Sequence, residues 1–430
     1  MEKGTNVFRN RNFVLVFLGQ AVSSIGALLY NFAAGFHILR LSDNNSVLQG
    51  VYLAVCGVIF CLFSPLGGVI SDRVNRAKIM YLCDFLRGAL ILLITLPMIL
   101  WPEDRTLAVI MLFVCGVIGN VIGAIFAPAG SSLLPFILPA ERLQQANSYF
   151  SILNSVQSVV GIVLAGILYA ALPVQVLYLV VGGCYLLSGL SETWIRYEYV
   201  PQKGGITLAT IRKDFTDGLR YLWGNLALRS FLLIMLLTNF FFSPLTNNFL
   251  PYFIATDVAG RPYLLDHLLT PEMWMSVFSI SLGAGSVLMG LFLSMRPRKE
   301  RVSPGVKAAQ SAVALVYVAI AVFYLLFHAE IISLNTVLIV TTAVAFFLGL
   351  LLVKINVPLN TLILTITDGD QLGKVHGVIN VASQGLIPLA SFLAGLAISA
   401  FGSGGLLVIC AAGFLLTDIL LLLNKHVNSL

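Results

Sequence analysis

Charged side chains are scarce in this sequence, so the few places where they gather carry much of its chemical information. Between Gly68 and Lys78 the chain reads Gly-Val-Ile-Ser-Asp-Arg-Val-Asn-Arg-Ala-Lys, setting one carboxylate, Asp72, beside three cations, Arg73, Arg76 and Lys78. Such a group can act as a latch. A carboxylate at the rim of one helix can dock on the N-terminus of another, whose dipole and free N–H groups stabilise an anion by about 0.3–1 kcal/mol, or up to about 2 kcal/mol when partly buried. Asp84 and Arg87 stand one helical turn apart; a structural ion pair is the first expectation for them and proton coupling the alternative. Glu192 and Asp418 fall near the ends of apolar runs, where their carboxylates are expected to reach water, and His37 falls near the end of the first run. Lys354 is different, because it sits about 12 residues from the end of its run, roughly 18 Å at the rise of an α-helix. It reads equally as a cation lining a cavity or as a lysine snorkelling along a crevice.

Neutral hydrogen-bonding groups embedded in apolar surroundings form a second set: Asn31, Asn120, Asn239, Asn247, Asn356 and Asn360, with Phe240, Phe241 and Phe242 beside Asn239. Aromatic surface supplies affinity for a bulky amphiphile and a few amides fix its orientation, although asparagines also bridge membrane helices structurally. Catalytic patterns are missing. Gly189-Leu-Ser-Glu-Thr193 fails the serine-nucleophile spacing at its last position, and no Walker loop is present. The six cysteines, Cys56, Cys61, Cys83, Cys115, Cys184 and Cys410, all lie in apolar runs without metal-ligand spacing and read as packing residues. No cofactor, metal or enzymatic activity is therefore expected.

The elements that must position these residues are hydrophobic helices. With 58% hydrophobic and 10% charged residues in a 430-residue chain, against about 25% charged in ordinary soluble domains, the fold class is all-α and the protein is a polytopic membrane protein. Twelve apolar runs long enough to cross a bilayer are expected near Phe13–Leu39, Val47–Ile70, Ile79–Leu100, Leu107–Leu134, Ala146–Leu172, Val174–Trp194, Leu226–Ile254, Trp274–Met295, Val306–Phe327, Thr336–Leu364, Val375–Ala400 and Gly405–Leu423. With both termini in the cytoplasm, 20 of the 25 lysines and arginines fall in the tails, in the even-numbered loops, or in the first turn of the span that follows, as membrane orientation requires. The net charge of +6 is thus a topology signal and predicts no nucleic-acid partner. The apolar run after Asn12 is too long for a signal-peptide core, so the first helix is expected to be retained.

The longest break, Arg196 to Asn225, carries Leu208, Ile211, Phe215, Leu219 and Leu222 at spacings of three and four, which predicts an amphipathic helix on the membrane face. The expected organisation is an N-terminal six-helix bundle over 1–197, a linker over 198–225 and a C-terminal six-helix bundle over 226–430. The halves repeat weakly: Gly290 to Lys299 mirrors Gly68 to Lys78, and Pro128 with Glu141 has its counterpart in Pro358 with Asp370. Pseudo-symmetric bundles of this kind let one half rock against the other.

The pattern Gly68-x-x-x-Asp72-Arg73-x-x-Arg76-x-Lys78, between two spanning runs, resembles the signature loop between helices 2 and 3 of the major facilitator superfamily. Asn12-Phe-x-Leu-x-Phe-x-Gly19-Gln20, Asp84-x-x-Arg87-Gly88 and Leu372-Gly-Lys374-Val-x-Gly377 with Pro388 resemble the macrolide-efflux type of drug exporter in that superfamily. Gly68 permits close packing at the end of helix 2, and the resemblance implies that Asp72 meets the start of helix 11 near Val375 to Asn380, that Arg73 and Arg76 bridge to neighbours, and that this contact gates the cytoplasmic side. It implies that helices 1, 4, 7 and 10 line a substrate cavity holding Asn31, Asn120, Asn239, Phe241, Asn247, Lys354, Asn356 and Asn360. Asn75 stands where the family usually has glycine, and a left-handed conformation there would preserve the turn. Gly161-Ile-Val-Leu-Ala-Gly166 has the glycines of the antiporter signature without its proline.

The resemblance further implies an alternating-access secondary transporter, monomeric, in the cell (inner) membrane, exporting a drug-like or macrolide-like amphipathic molecule against an ion gradient, with a proton as the coupling ion. The Phe-rich seventh span and Lys354 also suit a lipid-like or siderophore-like metabolite, carried by an exporter or flippase. A non-transporting sensor is the alternative from another class, and would be expected to carry an added soluble domain.

Overall fold

The computed structural model describes residues 7–139, 142–143, 145–146, 149–150, 153, 156–157, 161–197, 216–217, 219–294, 303–366, 378–379 and 385–423. Every regular element among them is helical. In chain order these are α1 (Arg11–Leu41), α2 (Ser46–Arg73), α3 (Arg76–Leu100), α4 (Arg105–Ile137), α5 (Ile162–Ala171) and α6 (Val174–Glu192). The second half contains α7 (Leu226–Pro244, prolonged to Val258), α8 (Met273–Ser294), α9 (Ser303–His328), α10 (Leu334–Ile366), α11 (387–401) and α12 (403–423). The last two form one run, Ile387–Leu423, whose helical geometry breaks only at Gly402, with φ 73° and ψ 174°. A side chain is strained at that φ, so glycine provides the corner. The α-helical pattern and the number of spans agree with the apolar runs; of the fifth, the described continuous helix is Ile162–Ala171. Ten helices among the described residues are long and apolar enough to cross a membrane, the Ile387–Leu423 run counting as one. The proposed linker helix falls mainly on 198–215, outside the described residues; Leu222, at its end, is buried against Leu232, Val378 and Ile379.

Local chemistry starts these helices. Asn10 and Asp104 cap α1 and α4 by accepting the amides of Phe13 and Leu107 at 3.1 and 2.9 Å, satisfying donors that a first turn leaves open. Asn75 does the same for α3, accepting the Lys78 amide at 3.3 Å. Its φ of −56° and ψ of 115° are not left-handed, so the tight turn after α2 is made by a side-chain cap rather than by the conformation expected from the glycine substitution. In α7 the pattern widens to π-turns at Leu245–Phe249 and Ile254–Val258, on either side of Leu250–Phe253. Pro251, lacking an N–H, cannot continue the regular ladder, and the wider turns take up the mismatch.

The chain divides into two compact units: 1–43 with 55–211, and Asn44–Ala54 with 212–430. In the first, α1 packs on α6 and α4, and α3 packs between α4 and α6. Phe8, Phe13, Phe17, Tyr149 and Phe150 form an edge-to-face cluster at the start of α1. Leu82, Leu86, Leu93 and Leu96 of α3 remain exposed, an apolar surface suited to lipid. In the second unit, α8 and α10 cross at glycines. A Cβ on Gly285 would fall on the Phe346 carbonyl, and one on Gly349 on the Leu282 carbonyl. Ser46 in the first turn of α2 belongs to this unit too, its hydroxyl donating to the Gly395 carbonyl at 3.0 Å.

Gly285→Ala and Gly349→Ala should each destabilise the protein by about 1–3 kcal/mol, the usual cost of overpacking. Gly290→Ala on the same helix, with open space at the added carbon, should melt no lower than wild type. Thermal unfolding read from thiol exposure of the buried Cys83, Cys115 and Cys410 measures all three.

Candidate functional site: a polar cavity and a buried charge cluster

The first unit contains a cavity of about 280 Å³ between α1, α2, α3, α4 and α6. Asn31 and Asn120 line it with Tyr30, Phe60, Phe126, Tyr185 and Arg87. The Asn120 amide N–H donates to the Gly116 carbonyl at 2.7 Å, which orients the side chain along its own helix. Arg87 lies with its guanidinium carbon 4.9 Å from the Phe126 ring centre and 5.5 Å from that of Tyr185, both within cation–π range. Gly123 makes room for it: a Cβ there would sit 2.9 Å from Arg87 Nη2. The cavity therefore presents aromatic faces, two amides and one guanidinium, a lining able to hold an amphiphile.

Arg87 also reaches back from the cavity. Its Nη1 is 3.5 Å from Asp84 Oδ1, and the Asp84 side chain is 0% exposed. Glu192, the last residue of α6, is likewise fully buried and lies within electrostatic reach of Asp84 and Arg87. The expectation that Glu192 simply reaches water is corrected here, because α1 closes over it at Gly19, where a Cβ would be 3.0 Å from Glu192 Oε1. Ser188 stands beside Asp84 but donates its proton to the Gly19 carbonyl at 2.8 Å. None of the four carboxylate oxygens of Asp84 and Glu192 has a hydrogen-bond partner among the described residues. Sequence reasoning picked out Asp84 and Arg87 and passed over Glu192. Its available signal was an acid at the end of an apolar run.

At the C-terminal end of α2, the surroundings of Gly68 and the side chains of Asp72 and Arg73 lie outside the described residues, as do 375–377 and 380 of the expected helix 11 start. Arg76 is buried at the foot of α3, its backbone N–H donating to Tyr197 Oη at 2.9 Å and its guanidinium 4.3 Å from the Phe136 ring centre. Lys78 is exposed.

The second unit separates the candidates that the sequence grouped. Asn239 and Asn356 share a small cavity of about 30 Å³ with Thr238 and Gln310, room for about one water. Phe241 instead packs on Phe414, 6.4 Å between ring centres, with its ring where a Cβ of Gly413 would fall. Asn247 lies exposed on the first π-turn of α7. Lys354 is half-buried on α10, with no carboxylate in ion-pair range among the described residues, and the Asn360 side chain lies outside them. Asp418 is 8% exposed and accepts a hydrogen bond from Ser311 at 2.8 Å, so it too is corrected from a water-exposed to a bonded group. His37 is buried beside Tyr178, Nδ1 to Oη 3.1 Å.

Helices of this length and polarity, with a polar cavity among them, define a membrane transporter. The chain belongs to the Major Facilitator Superfamily, whose family model matches residues 13–391. An uncharacterized MFS-type transporter of Bacillus subtilis, YvqJ, is 23% identical over 93% of this chain and 89% of its own length. Macrolide efflux protein A of Streptococcus pyogenes is 23% identical over 66% of each chain. A bacterial homologue of the iron transporter ferroportin, in an inward-facing state, has the same fold, with a TM-score of 0.74 and 14% identity over 97% of this chain and 99% of that one.

Removing Arg87 leaves Asp84 buried without its counter-charge. Arg87→Gln should therefore cost about 3–5 kcal/mol, the range for breaking one side of a buried pair. Adding Asp84→Asn should restore much of that loss, measured by denaturant unfolding in detergent.

Proposed function

We propose that this transporter exports an amphipathic, drug-like or macrolide-like small molecule by alternating access, driven by an ion gradient with a proton as the coupling ion. The observation that carries the reading is the cavity of the first unit, where Tyr30, Phe60, Phe126 and Tyr185 offer apolar faces while Asn31, Asn120 and Arg87 offer hydrogen bonds. Likeness to a macrolide efflux protein supports the same substrate class. In this reading the protein sits in the cell membrane with both termini cytoplasmic, and its halves, 1–197 and 226–430, move about the linker. The loop from Gly68 to Lys78 gates the cytoplasmic side through Asp72, Arg73 and Arg76. Lys354, Asn239, Asn247, Asn356, Asn360 and Phe241 of the second half are proposed as further substrate-binding residues.

The test is gradient-driven accumulation of erythromycin in everted vesicles containing the protein. Uptake that requires an imposed proton gradient is expected, and Asn31→Ala and Asn120→Ala should each raise the apparent KM several-fold, since one hydrogen bond contributes about 0.5–1.5 kcal/mol. Accumulation indifferent to the gradient, or unchanged KM in both variants, would overturn the assignment.

A further inference from the structure

We propose that Glu192 is an exchangeable proton site, buried where α6 meets α1 and α3 and sharing one counter-cation with Asp84. Its use in coupling rests on the transport reading above; the presence of the proton does not.

Charge and solvation call for that proton. Asp84 and Glu192 are fully buried, and none of their four carboxylate oxygens finds a hydrogen-bond partner among the described residues. Burying a carboxylate without partners is costly, and two sharing one buried place repel each other. From α3, the facing ionisable groups are Cys83, Asp84 and Arg87; from α6 itself, Tyr185. The facing part of α1 brings Gly19, whose carbonyl accepts the Ser188 hydroxyl, while His37 and Tyr178 meet each other near the other end of those helices. Among the described residues, Arg87 is thus the one cation in reach of both acids. Two carboxylates and one guanidinium leave a negative charge uncompensated. That charge also sits at the C-terminal end of α6, where the helix dipole repels anions. A proton on Glu192 removes it.

The second half supplies an internal comparison. Asp418, near the end of α12, accepts the Ser311 hydroxyl of α9 at 2.8 Å, a kind of partner that Glu192 lacks among the described residues. A link to the cavity is built in as well. Arg87 touches the cavity wall between Phe126 and Tyr185 and also pairs with Asp84. The charge state of the two acids therefore reaches the cavity through one residue that faces both, and any coupling between the two sites is reciprocal.

Infrared difference spectroscopy on the purified full-length protein tests the proton without any substrate. A carbonyl stretch of a protonated carboxylic acid should disappear as pH is raised, be missing from Glu192→Gln and persist in Asp418→Asn. Should Glu192→Gln fail to fold, Glu192→Asp keeps a carboxyl and should keep a titrating band at a shifted frequency. Absence of a titrating band in wild type would overturn the proposal, as would its persistence in folded Glu192→Gln or its loss on adding sodium at constant pH, which would make the site one for sodium. In the erythromycin assay, accumulation by Glu192→Gln should fall to the level seen without a gradient. Continued gradient-driven accumulation by this variant would overturn the coupling role. If no form transports erythromycin while the infrared band behaves as expected, the transport reading fails and the proton site stands.

Discussion

The first unit is organised around the Arg87 guanidinium. A charge in a membrane interior is tolerated when it faces a cavity or a partner, and Arg87 does both: it pairs with Asp84 on one side and looks into the cavity between two aromatic rings on the other. Three features depend on that double role. Gly123 stays small so that the guanidinium fits, Gly19 stays small so that α1 can close over Glu192, and Ser188 spends its proton on α1 instead of on an acid. The close packing of α1, α3 and α6 thus has an electrostatic reason as well as a steric one.

Elsewhere the backbone sets the limits. With no water in the hydrocarbon core, each span must satisfy its own N–H and C=O groups, so departures from a regular α-helix occur where the sequence forces them. Pro251 widens α7 into π-turns, and Gly402 turns the corner between α11 and α12. Between α8 and α10, Gly285 and Gly349 let two backbones approach closely, a contact that side chains of ordinary size would prevent. The helix carrying Asn239 and Asn247 is therefore irregular at the second of these residues, while Lys354 and Asn356 extend from a helix held close to its neighbour.

Apolar run length and the scarcity of charge were enough to specify the class of fold, because a stretch of about 20 apolar residues has few alternatives to crossing a bilayer. The same scarcity made Asp84 and Arg87 visible as a pair one turn apart, and the loop from Gly68 to Lys78 visible as a marker of the superfamily. The sequence could not tell which polar residues share a space. Asn31 and Asn120 converge on one cavity and Asn239 and Asn356 on another, but Phe241 turns to Phe414, because a helix face is chosen by packing against neighbours distant in the chain. Nor could it distinguish two acids that both fall near the ends of apolar runs. Glu192 and Asp418 look alike by position, yet tertiary structure places one against Asp84 without hydrogen bonds and gives the other the Ser311 hydroxyl. Solvation and pairing of a charge depend on what stands opposite it, and only the packed helices supply that.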